Sequence, residues 1–131
     1  MKTITFIGNG NMALSIAKGL KESYKLEVIG RDLEKLNKFE SEVGVKIEKV
    51  LMDNCNIEGK TVILCVKPAN VEEIAARIKG RAKVIYSVLA GVTVQKIKQN
   101  LNPHAVVRSM PNLAASVGKS MTTLTGDWSN R

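Results

Sequence analysis

Aromatic side chains are scarce in this sequence. Two Phe, two Tyr and one Trp make up 4% of its 131 residues. Any core must therefore be built from Ile, Val, Leu and Ala. The aromatic platform on which single-stranded nucleic acid stacks is missing as well. There is one histidine, His104, and no set of His, Cys and carboxylate residues at metal-ligand spacing, so no metal site is expected. No nucleophile stands beside a base, and no paired acids point to hydrolysis. Catalytic residues are therefore not identifiable from the residues alone. Cysteine is limited to Cys55 and Cys65, which form no metal or redox motif. Cys65 lies in an apolar run and reads as a small core residue. No apolar segment reaches the length of a membrane span, and no signal-peptide segment opens the chain. The expectation is a cytoplasmic protein with no membrane partner.

Charge is unbalanced, with 20 Lys+Arg against 12 Asp+Glu and a net charge of +8. A basic surface serves nucleic acid, or a small polyanion such as a dinucleotide phosphate. The lysines are scattered through every expected helix and form no single run. We therefore expect no nucleic-acid partner, and take most lysines as a solvated face.

What is present is an alternation of short apolar runs and helical spacing. Hydrophobic residues make up 44% of the chain, which is a globular composition, and its length suits one domain, 1–131. The first strand is expected near 3–7, followed by a helix from Asn11 to Lys21. A second strand covers Leu26–Ile29. Asp32 is placed to cap a helix carrying Leu33, Leu36, Phe39 and Val43, which Gly44 stops. A short third strand is expected at Val45–Ile47, then an irregular polar stretch over 48–60. Thr61–Val66 reads as a central parallel strand buried on both faces. Asn70 then caps a helix with Val71, Ile74, Ala75 and Ile78, which Gly80 ends. Val84–Val88 is the fifth strand. Thr93 caps a helix with Val94, Ile97 and Leu101, closed by Pro103, and Ala105–Arg108 is the sixth strand. A further strand near Ser120–Leu124 is the least periodic of these expectations. Strands alternating with helices at these lengths mean an α/β, Rossmann-type, doubly wound and mostly parallel sheet with helices on both faces, in strand order 3-2-1-4-5-6.

The segment Ile7-Gly8-Asn9-Gly10-Asn11-Met12-Ala13 stands between the first strand and the first helix. Gly8 permits a tight turn, Gly10 leaves room for a pyrophosphate, and Ala13 lets the helix lie close to the strand. The free N–H groups of that helix then face the phosphates. The same residues also make an ordinary glycine turn, and position after the first strand favours the phosphate reading.

In an open parallel sheet, ligands sit beyond the carboxyl ends of the strands. After the second strand comes Arg31, a permanently charged fork suited to a ribose 2′-phosphate. Asp32 beside it is either a ribose ligand or the helix cap, and the cap is preferred. This favours NADP(H), with NAD(H) as the alternative cofactor. After the fourth strand, Lys67 stands at the crevice mouth or is a solvated surface residue. Leu89, Ala90 and Gly91 follow the fifth strand, where small residues admit a ring or serve as a plain turn. Asn112, after the sixth, offers an amide or caps a turn. His104 falls at the opposite end of its strand and reads as a surface residue. The lack of a nucleophile–base pair fits hydride transfer, where the cofactor supplies the chemistry.

Four segments together resemble the N-terminal dinucleotide-binding domain of pyrroline-5-carboxylate reductase. They are Phe6–Ala13, Val66-Lys67-Pro68, Ser87–Thr93 and Arg108-Ser109-Met110-Pro111-Asn112, and in order they cover the chain to about Gly118. The resemblance implies reduction of 1-pyrroline-5-carboxylate to L-proline by NAD(P)H, the last step of proline synthesis. It implies that Ile7–Met12 hold the pyrophosphate and that Arg31 stands at the adenosine ribose or its phosphate. Cys65, Val66, Lys67 and Pro68, with Val88, Leu89 and Ala90, would border the nicotinamide. Met110, Pro111 and Asn112 would border the substrate side. Leu89 departs from the family, which often has alanine there. The family also continues into an all-helical second domain that joins protomers into a homo-oligomer and supplies most of the imine-carboxylate pocket. That domain is expected to be missing from these 131 residues, whether as a fragment or a truncated form. A stand-alone NAD(P)H-binding, redox-sensing module without catalysis is the alternative reading.

Overall fold

The computed structural model describes residues 2–87 and 93–108. The strands are β1 (Thr3–Ile7), β2 (Lys25–Gly30), β3 (Glu48–Leu51), β4 (Thr61–Leu64), β5 (Val84–Ser87) and β6 (Val106–Arg108). They form one sheet in the order β3-β2-β1-β4-β5-β6, as the strand–helix alternation predicts. Every neighbouring pair is parallel. The helices are α1 (Asn11–Leu20), α2 (Leu33–Val43), α3 (Val71–Arg77) and α4 (Val94–Leu101). The strand expected near Ser120–Leu124 lies outside the described residues.

Strand alternation sorts the core into two layers. Ile4, Phe6, Leu26 and Val28 point to one face, where Ala13, Ala17 and Leu20 of α1 and Leu36, Phe39 and Val43 of α2 cover them. Ile7, Ile29, Val62 and Leu64 point to the other, under Val71 and Ile74 of α3 and Ile97 and Leu101 of α4. Full burial of each such aliphatic side chain contributes about 1.5–3 kcal/mol, which is why a core with few aromatics suffices. The β3-to-β4 crossover has no α-helix. A 3₁₀ turn at Met52–Asn54 leads into Cys55 and Ile57, which fill the second layer instead.

That same layer contains a polar group. Glu27 is 4% exposed and Thr5, directly opposite it on β1, is fully buried. Thr5 Oγ1 donates to Glu27 Oε1 at 2.8 Å, and Lys60 Nζ donates to the same oxygen at 2.7 Å. A buried carboxylate is tolerable only when it is paired, so this cluster ties the 55–60 crossover to the sheet.

Several details differ from the sequence reading, among them the fourth strand, which ends at Leu64 and not Val66. The third strand begins at Glu48, not Val45. Gly44 ends α2 in the left-handed conformation at φ 89°, and the Ile47 N–H is taken by Glu40 Oε2 at 2.8 Å. Lys49 Nζ holds the other Glu40 oxygen at 2.7 Å, and ladder pairing starts at Glu48, directly after the clamped Ile47 N–H. The Ile47 N–H, followed by Lys49, holds the Glu40 carboxyl below its usual range. Asn70 gives no side-chain cap to α3; at φ −93° and ψ −4° it continues a 3₁₀ turn, Pro68–Asn70, straight into the helix. Helix α3 stops at Arg77, because Ile78 is extended and Gly80 lies beyond it. Asp32 and Thr93 do cap α2 and α4, accepting from the N–H groups of Glu34 and Lys96.

The tightest backbone approach lies where β1 ends. Gly8 has φ 106°, and its N–H donates to the Ile29 carbonyl at 3.0 Å. A Cβ there would stand 2.5 Å from the Cys65 carbonyl oxygen. We expect Gly8→Ala to lose on the order of 2–4 kcal/mol, from left-handed strain plus the collision. Urea unfolding checks this, and a loss under about 1 kcal/mol would contradict the geometry.

Candidate dinucleotide cleft

The carboxyl ends of β1, β2 and β4 surround a cleft of about 360 Å³. Gly8, Asn9 and Gly10 form its floor at the switch point, where the chain turns from β1 into α1. Gly30 and Arg31 approach from β2, and Cys65, Val66 and Lys67 from β4. These are residues that the sequence singles out, brought together from three separate segments.

The two loop glycines are glycine for different reasons. At Gly8 the backbone itself demands it. At Gly10, φ is −79° and ψ −172°, an extended conformation open to any residue. A Cβ on Gly10 would meet nothing within 4 Å. Neither turn geometry nor packing calls for glycine at Gly10, so what its missing side chain provides is free space in the cleft.

Helix α1 begins at that space. Its N-cap is Gly10, no side chain caps it, and its first turn carries no acid. The first amides of any helix lack partners within the helix and form a positive dipole end. Asn11 and Met12 are exposed in this first turn, and Ala13 is fully buried against the sheet. Ile7 is also fully buried and faces the second core layer, while its carbonyl accepts from the Cys65 N–H at 2.9 Å. None of Ile7, Asn11, Met12 and Ala13 lines the cleft with the glycines. Pro68 begins the 3₁₀ turn next to Lys67. Val88, Leu89, Ala90, Met110, Pro111 and Asn112 lie outside the described residues.

Two of the cleft's cations lie on the β2 side, and a third, Lys67, comes from β4. Arg31 lines the cleft, and Lys35 joins it from α2. Arg31 Nη2 pairs with Glu73 Oε2 of α3 at 3.0 Å. The Asp32 carboxylate accepts from the Glu34 N–H at 2.9 Å, so its role as a cap is the one that the structure bears out. His104 is exposed, and its N–H donates to the Ala82 carbonyl ahead of β5, away from the cleft.

Sequence reasoning missed five lining residues: Ile29, Lys35, Met52, Asn70 and Ile74. Met52 had a usable signal, since it directly follows β3 at a strand's carboxyl end. Misplacing that strand by three residues hid it. Lys35 sits three residues past the Asp32 cap, on the helix turn nearest the loop. Asn70 ends the 3₁₀ turn that leads into α3, and Ile74 lies in the first turn of that helix. Among the described residues, no group of three or more His, Cys, Asp or Glu side chains gathers in a metal-like cluster. No helix among them is long and apolar enough to cross a membrane.

A doubly wound parallel sheet with a glycine loop at its switch point defines a Rossmann-type dinucleotide-binding domain. The chain belongs to the family described as NADP oxidoreductase coenzyme F420-dependent, whose model matches residues 3–91. It is similar to a pyrroline-5-carboxylate reductase of Helicobacter pylori, 33% identical over 95% of this chain and 49% of that protein. It is 35% identical to pyrroline-5-carboxylate reductase 2 of Dictyostelium discoideum, over 94% of this chain and 44% of that one. The chain thus spans about half the length of these relatives. In fold it matches a crystal structure of 1-pyrroline-5-carboxylate reductase from Streptococcus pyogenes, with a TM-score of 0.60. That match has 23% identity and covers 82% of this chain and 39% of the other.

Burial pushes the Cys65 thiol up to about 12. It is therefore a neutral thiol lining the cleft and not a thiolate nucleophile. We expect iodoacetamide to modify it slowly in the folded chain, at a rate still rising at about pH 9. Mass spectrometry of the Cys65 peptide checks this. A rate that levels off near pH 8 would contradict it.

Proposed function

We propose that this chain is the NADP(H)-binding domain of an oxidoreductase that reduces 1-pyrroline-5-carboxylate to L-proline. The observation that carries the reading is the open space at Gly10, in front of an uncapped helix α1. The similarity to reductases of that name, over nearly the whole chain, directs it to this substrate. The same similarity favours an enzyme domain over a redox-sensing module.

On this reading the residues fit a dinucleotide. Gly8, Asn9 and Gly10, with the first amides of α1, hold the pyrophosphate. Arg31 holds the 2′-phosphate of the adenosine ribose, with Lys35 beside it. Met52 and Ile74 give the adenosine half an apolar wall. Cys65, Val66 and Lys67, with Pro68, Val88, Leu89 and Ala90, border the nicotinamide half. When bound, reduced cofactor supplies the hydride. The chain's own contribution is orientation and electrostatic attraction, which its surplus of Lys and Arg strengthens at longer range. Met110, Pro111 and Asn112 face the substrate side. A helical second domain of the family supplies most of the substrate pocket and joins two or more protomers. Both cysteines are free thiols, which suits a reducing cytoplasm.

Two variants test the cofactor site. Gly10→Val fills the space without straining the backbone. We expect NADPH binding, read by cofactor fluorescence, to weaken more than tenfold, with the unfolding midpoint within about 2 °C of the parent. A folded variant with parental binding would contradict the proposal. Arg31→Gln tests the ribose end. A charge-assisted phosphate contact is worth on the order of 1.5–3 kcal/mol, so the parent should prefer NADPH to NADH roughly tenfold or more. The variant should lose that preference; a ratio unchanged from the parent removes Arg31 from the site.

A further inference from the structure

The guanidinium assigned to the 2′-phosphate already has a partner. Arg31 follows β2, whereas Glu73 belongs to α3, which follows β4. Their 3.0 Å ion pair therefore bridges the two sides of the cleft. The other Glu73 oxygen lies 3.4 Å from Arg77 Nη2, one turn further along the same helix. Arg77 Nη1 in turn lies 3.5 Å from Asp53 Oδ1. One carboxylate is thus shared between an arginine in the cleft and an arginine outside it.

Resting on the reading that Arg31 receives the 2′-phosphate, we propose that Glu73 sets the discrimination between NADPH and NADH. It competes with the phosphate for Arg31, and Arg77 is the alternative seat that it takes when a phosphate arrives. A phosphate carries more negative charge and more acceptor oxygens than a carboxylate, so it wins the exchange. Arg31 and Glu73 are 45% and 44% exposed, and a pair that wet is weak and easily exchanged. NADH presents a neutral hydroxyl at the same point. It has no charge to displace Glu73, and a carboxylate left on Arg31 is a ready acceptor for that hydroxyl. Glu73 therefore opposes NADPH and not NADH. Arg77 reduces that opposition by accepting the carboxylate without itself touching the cofactor. It is a positioning residue, with Asp53 as its second carboxylate neighbour.

The test is a double-mutant cycle on the 131-residue chain, titrated with NADPH and with NADH separately. Glu73→Gln should tighten NADPH about three- to fivefold and leave NADH within twofold, because the lost competitor is one exposed ion pair. Arg77→Gln should weaken NADPH about two- to threefold with NADH unchanged, and Arg77→Lys should restore most of the loss. In the Glu73→Gln background, Arg77→Gln should no longer change the NADPH/NADH ratio. Equal tightening of both cofactors by Glu73→Gln would mean a general charge effect and would overturn the proposal. Weaker NADPH binding in that variant would overturn it too, by making Glu73 a support for Arg31. So would an Arg77 effect that persists without Glu73. Loss of preference in Arg31→Gln alongside such a result would leave the cofactor site standing. An Arg31→Gln variant with the parental ratio would remove the site and this inference together.

Discussion

At Gly8 the backbone turns through φ 106° against the Cys65 carbonyl, which leaves no room for a side chain. On one side its N–H reaches the Ile29 carbonyl of β2. On the other, the Cys65 N–H closes onto the Ile7 carbonyl, extending the β1–β4 ladder past Leu64. The middle of the sheet is thus fastened to both halves at one point. The chain can then leave upward into α1 while β2 and β4 diverge. A cleft exists there because strand order reverses at β1, so the crossovers that leave β1 and β4 run to opposite faces.

The two halves bring different chemistry to that cleft. The β2 half supplies cations, Arg31 and Lys35, on a loop whose helix is capped by Asp32. The β4 half supplies Cys65 and Val66, with Lys67 at the rim. Helix α1 between them has no capping side chain. Helices α2 and α4 carry side-chain caps and α3, like α1, does not; what sets α1 apart is that its uncapped start follows the glycine loop that lines the cleft. Farther down the sheet, the Thr5–Glu27–Lys60 cluster takes up a burden that an absent helix would otherwise carry. It fastens the 55–60 crossover, where a doubly wound fold would ordinarily place a packed α-helix.

The elements most legible in the sequence were those with redundant signals. Strand β1 and helix α1 have an apolar run and an apolar stripe joined by the glycine loop, helix α2 has a stripe with both cap and stop, and their bounds agree with the reading to within a residue or two. Strand β3 was not legible, because its residues Glu48-Lys49-Val50-Leu51 form an edge strand without buried alternation. The apolar pair Val45 and Ile47 drew attention instead. The contact of Glu40 with the Ile47 N–H, seven residues along the chain, takes up that N–H just before pairing begins at Glu48. Within the cleft, Gly8, Gly10 and Arg31 were readable from position after a strand. The Arg31–Glu73–Arg77 chain was not, since it depends on how α3 sits across from the β2–α2 loop. The pairing of Thr5 with Glu27 needed the strand register, which no local pattern carries.

The central claim is that a dinucleotide phosphate sits at the junction of β1, α1 and the β2 end. Backbone amide resonances followed during NADPH titration read that placement directly. The account predicts saturating shifts that are largest for Gly8–Ala13 and for Gly30–Lys35, with little change at Lys79–Lys83 on the opposite end of the sheet. Shifts concentrated at that opposite basic end, or spread evenly over the surface lysines, would contradict it.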